Sequence, residues 1–111
     1  ANVAAEYIDG WTALTRAAQA SHLSTAALLL EAGADVMQRN CKGTTSIYIA
    51  GQEGHTAMVA LLLDSGAEVD YAIPDGRTGL TQAAKNGHLA TVEAFLAAAP
   101  ARTHLGIALE F

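Results

Sequence analysis

The sequence predicts an all-α solenoid of stacked helix-turn-helix units joined by hairpin-like loops. Three observations predict it. The chain repeats itself at a step of 33 residues, which links Gly10, Gly43 and Gly76, then Thr12, Thr45 and Thr78, then Leu14, Ile47 and Leu80. Each copy holds two short apolar segments, parted by a break at Ser21, Gly54 or Gly87. Alanine dominates an apolar fraction of 51%, while aromatics make up only 5%. Small side chains in that proportion suit close helix packing better than a sandwich of bulky strands.

The same step joins Ala17, Ala50 and Ala83, then His22, His55 and His88, then Leu30, Leu63 and Leu96. Gly33 pairs with Gly66, Asp35 with Glu68, and Val36 with Val69. Self-similarity at such a period marks a repeat array. The 111 residues make one small domain. Residues 1–6 form the tail of a preceding copy, 7–39 the first repeat, 40–72 the second and 73–100 the third. Residues 101–111 either cap the last helix pair or begin a cut-off fourth repeat.

Within each copy a Gly-containing turn leads to Thr12, Thr45 or Thr78, whose hydroxyl caps a first helix by accepting a backbone N–H. Ala17, Ala50 and Ala83 let a neighbouring helix come close. The break that follows suits a left-handed cap. A second helix is expected over about 23–32, 57–65 and 90–98, with its Leu triplet supplying the core face. Gly33 and Gly66 end it, and extended connections reach the next turn.

These residues resemble the ankyrin repeat. The resemblance rests on DGWTALTRAAQASHLSTAALLLEAGADV, KGTTSIYIAGQEGHTAMVALLLDSGAEV and DGRTGLTQAAKNGHLATVEAFLAAA. The family's Thr-Pro-Leu-His motif stands here as TALT, TSIY and TGLT, without Pro or His in any copy. In that motif the Pro starts the first helix and the His ties adjacent turns. Thr15, Tyr48 and Thr81 occupy the His place, so that tie is missing. One unit cannot hide its own apolar face, so about three are needed for a stable stack.

Composition narrows the function. A net charge of −5 is poorly matched to a nucleic-acid backbone or an anionic membrane surface. No apolar run is long enough to span a bilayer. The start ANVAAEYIDG has neither the basic nor the apolar region of a signal peptide. A single cysteine, Cys41, excludes an internal disulfide and points to a reducing, intracellular setting.

Chemistry-bearing patterns are few. His22, His55 and His88 recur one stacked unit apart, about 10 Å, too far for one zinc ion. They read as structural residues of the inter-helix turn. Cys41 beside Lys42 reads as an ordinary exposed thiol, with no triad partners. Asp35, Glu68 and Asp70 read as acceptors for loop N–H groups rather than calcium ligands. There is no phosphate-binding loop and no flanking carboxylate pair, so neither cofactor nor catalysis is expected.

What remains is surface. The resemblance implies a concave groove formed by turn tips and first helices, and a non-catalytic role in binding another protein, with the chain acting as a monomer. At the groove offsets stand Tyr7, Ile8, Trp11 and Gln19 in the first copy, and Lys42, Thr44, Gln52 and Glu53 in the second. Ile73, Asp75, Arg77 and Lys85 take those offsets in the third. These positions differ from copy to copy while the scaffold offsets repeat. Trp11, Tyr7 and Ile8 would anchor a partner, and Lys42, Glu53, Arg77 and Lys85 would set register. Trp11 could equally pack over a neighbouring turn, whereas Tyr48 reads as structural. The other reading is that the repeats are a targeting or spacing element cut from a larger enzyme, channel or effector. Flanking repeats or a catalytic domain in the full-length gene would decide for it.

Overall fold

The computed structural model describes residues 11–40 and 42–98. Their six helices alternate in length and pair in order. α1 (Ala13–Ala20) and α2 (Leu23–Glu31) form the first unit. α3 (Ser46–Glu53) and α4 (Thr56–Asp64) form the second, and α5 (Gly79–Lys85) and α6 (Leu89–Ala98) the third. First helices pack on first helices (α1 on α3, α3 on α5), and second helices likewise stack α2 on α4 on α6. The second helices start and stop within a residue of the bounds that the Leu triplets suggest. No strand is present among the described residues, only one bridge between Ala72 and Thr78 within the third loop.

The three threonines cap as expected. Thr12, Thr45 and Thr78 sit in extended backbone and accept the N–H of the residue three along. Two copies carry a local device at the place of the missing histidine. Thr15 Oγ1 accepts the Thr12 N–H at 2.8 Å and donates to the Thr12 carbonyl at 2.8 Å. Thr81 does the same for Thr78, at 2.8 and 2.9 Å. Each pair is thus a reciprocal capping box built from two threonines. Tyr48 has no such short hydroxyl, so Thr45 receives only the one-way bond from the Tyr48 N–H at 3.3 Å.

Helix ends close by a pair of backbone hydrogen bonds. After α4, the Ala67 N–H reaches the Leu62 carbonyl at 3.0 Å and the Gly66 N–H reaches Leu63 at 3.1 Å. This Schellman closure places Gly66 at φ 102°, a region that side chains resist. The α1 end uses the same closure, with the His22 N–H on Ala17 and the Ser21 N–H on Ala18. There Ser21, not glycine, takes the left-handed conformation, at φ 61°.

The core is a line rather than a ball. Leu14, Met58, Val59, Leu62 and Phe95 are fully buried between units. Each contributes roughly 1.5–3 kcal/mol of hydrophobic stabilisation. The Leu triplets are not core throughout, which corrects the expectation from sequence. Leu62 is fully buried, but Leu28 is 66% exposed. Leu29, Leu30, Leu61 and Leu63 are partly buried against the core.

The units are also pinned by polar contacts. His55 Nε2 lies 2.9 Å from the Gln19 carbonyl of the unit before it, and His88 Nε2 lies 3.1 Å from that of Gln52. His55 and His88 therefore bridge neighbours, and each satisfies a carbonyl at the end of a first helix, α1 or α3. His22 is exposed.

Candidate functional site

Two connecting loops and two first helices enclose an open groove of about 550 Å³. Its walls begin with loop geometry. In the second loop Asn40 Oδ1 accepts the N–H groups of Lys42 and Thr44 at 2.9 and 3.0 Å. In the third, Asp75 Oδ1 accepts the Arg77 N–H at 3.0 Å, and its Oδ2 accepts Arg77 Nε at 2.7 Å. One short polar side chain thus shapes each turn tip. The Tyr71 hydroxyl ties the loops together by donating to the Gly43 carbonyl.

The groove brings together nine of the residues expected from sequence: Trp11, Gln19, Lys42, Thr44, Gln52, Glu53, Ile73, Asp75 and Arg77. Ile73 is buried and belongs to the floor rather than the rim. Lys85 is exposed at the end of α5 and does not line this groove. Tyr7 and Ile8 lie outside the described residues, as do Cys41 and the 101–111 tail. Tyr48 and Ile49 join the floor, both buried. Sequence reading placed Tyr48 in the turn network, and an apolar residue at the offset of Arg16 and Gln82 is what marks Ile49.

Charge in the groove is mixed. Arg77 and Asp75 form an ion pair, half exposed on both sides, which adds little stability but fixes where the guanidinium sits. The hydrogen bond from the Arg77 backbone N–H, with the Arg77 side chain adding to it, holds the Asp75 carboxyl below its ordinary range. Burial pushes the Tyr48 hydroxyl above its usual value, with Arg77 opposing and Asp75 adding to the shift. Lys42 and Glu53 are exposed, and neither is within ion-pair distance of another described side chain. Trp11 is half buried, with the Arg16 guanidinium 4.6 Å from its ring centre. That stacking holds the ring without covering it completely.

Among the described residues no three of His, Cys, Asp and Glu gather as a metal site. Asp35 is engaged as a loop acceptor, taking the Met37 N–H at 2.9 Å. No described helix is long and apolar enough to cross a membrane.

A family model for ankyrin repeats, in three copies, matches residues 1–73. The chain belongs to the ankyrin-repeat family. Ankyrin repeats are in general non-catalytic modules of protein–protein interaction. A comparison with curated proteins finds no match. The family match stops at the third loop, yet α5 and α6 continue the stack with the same Thr cap and the same helix pairing.

Proposed function

We propose that this ankyrin-repeat chain is a non-catalytic binding module that seats another protein in the groove of turn tips and first helices. It acts as a monomer inside the cell. The reading is supported by one observation: nine of the residues at offsets that vary between copies line one groove, while the repeating offsets are spent on caps and core. Trp11 supplies a half-exposed aromatic wall over a floor of Tyr48, Ile49 and Ile73. Aromatic anchors surrounded by polar rims carry most binding energy at protein interfaces. Lys42 and Glu53 set register on opposite charges of the partner. Lys85, exposed at the end of α5, extends the surface beyond the groove.

The test is capture of the partner from lysate by wild type and Trp11→Ala side by side, followed by calorimetric titration of the captured protein. Trp11→Ala should weaken binding by about 2 kcal/mol, roughly thirtyfold. Its melting temperature should move little. Undiminished affinity, with a large loss of melting temperature, would make Trp11 a scaffold residue and remove the anchor from this reading.

A further inference from the structure

Charge is sorted across the stack. The chain is acidic overall, at −5. Its described cations nonetheless gather on first helices and turn tips. Arg16 and Lys85 stand on α1 and α5, and Lys42 and Arg77 at the tips of the second and third loops. Arg39 lies in the second loop, over the Tyr71 ring. Only two described acids share the first helices and tips, Glu53 and Asp75. Glu31, Asp64 and Glu93 lie on second helices, and Asp35, Glu68 and Asp70 in the stretches just after them. None of these six lines the groove. Among the described residues the groove side therefore carries a positive excess on a negative molecule.

Two groove cations are open to a ligand. Lys42 is exposed and has no described acid within ion-pair distance. Asp75 engages Arg77 at Nε, and among the described residues no acceptor is bonded to the Arg77 Nη atoms. The remaining guanidinium edge matches the two oxygens of a second carboxylate. Trp11, Lys42 and Arg77 line the groove one to a unit. Stacked units lie about 8–10 Å apart. An extended chain of polyproline type rises about 3.1 Å per residue with three residues per turn, so every third side chain meets the same face about 9 Å further on. The two steps match. Glu53 ends α3, about 12 Å along the helix from the tips, and so bounds the cationic strip instead of interrupting it.

We propose that the groove seats an extended acidic segment of the partner, with an apolar residue on Trp11 and carboxylates three residues apart on Lys42 and Arg77. The inference rests on the groove reading above and adds to it the chemistry of the partner.

The test is selection of peptides from a displayed random library by the full chain, then calorimetric titration of synthetic copies of the winners. The winners should carry an apolar residue followed, or preceded, by acids at three-residue steps. Lys42→Glu sets a like charge against them and should weaken binding at least about tenfold. Changing the peptide's acids to Lys should reverse that order of affinities. Glu31→Lys, away from the groove, should change affinity less than about twofold, because exposed charges beyond about 10 Å are screened. Winners without an acidic excess, weakened by Trp11→Ala but not by Lys42→Glu, would overturn this inference and leave the groove reading standing. Winners indifferent to both substitutions would overturn both. A library that yields no binder would overturn the acidic segment, while Trp11→Ala in the lysate capture still decides the groove. A dimer in light scattering that Lys42→Glu dissociates would also overturn it, since a second copy's own acids would then occupy the strip.

Discussion

Gly51 of α3 and Gly79 of α5 touch so closely that a Cβ on Gly51 would stand 2.7 Å from the Gly79 carbonyl oxygen. The obstacle is backbone, which cannot swing aside as a side chain does. α3 and α5 can pack this tightly only because neither carries a side chain at the crossing. Phe95 fills the far side, 2.8 Å from where a Cβ on Gly79 would stand.

Gly51→Ala separates propensity from packing. In an exposed helix this change stabilises by about 1 kcal/mol. Here the two helices must part, and overpacking of this kind costs about 1–3 kcal/mol. The expected outcome is a net loss of about 1 kcal/mol in urea unfolding. A net gain would mean that α3 and α5 are less closely set than described.

Ser21 offers the opposite case. It holds the left-handed cap that Gly54 holds after α3, and it does so at φ 61° with a side chain attached. That conformation costs a non-glycine residue about 1–2 kcal/mol, of which glycine's greater unfolded freedom offsets part. Ser21→Gly should therefore raise stability by about 0.5–1 kcal/mol, read as a shift of the urea midpoint at constant slope. Destabilisation would show that the Ser21 side chain makes a contact worth more than the strain.

Tyr48 predicts an alkaline limit. Its hydroxyl is held above the ordinary tyrosine value of 10.0, chiefly by burial. A raised folded-state value means stability that is complete below about pH 10 and is lost as pH rises through the folded value. Tyr48→Phe removes the ionisable group and with it this loss. Stability measured near pH 8 and near pH 11 should fall less in the variant than in wild type. Parallel falls would place the alkaline sensitivity elsewhere.

Much of this molecule was legible before any coordinates. The repeating Thr, the paired Gly33 and Gly66, and the small Ala offsets are local signals. Caps and left-handed closures are decided within five or six residues of chain, so the sequence alone determined where helices start and stop. It also determined which offsets are free to vary, because a stack reuses every other offset for structure. The pattern could not say which Leu of a triplet is buried, since Leu28 and Leu61 look alike in sequence while their neighbours across the stack differ. Nor could it show that His55 and His88 bridge units through the Gln19 and Gln52 carbonyls. Those outcomes depend on residues about 33 positions away being brought to hydrogen-bond distance. Only the stacking of whole units does that, because the energy of each such contact belongs to the pair and to neither sequence segment by itself.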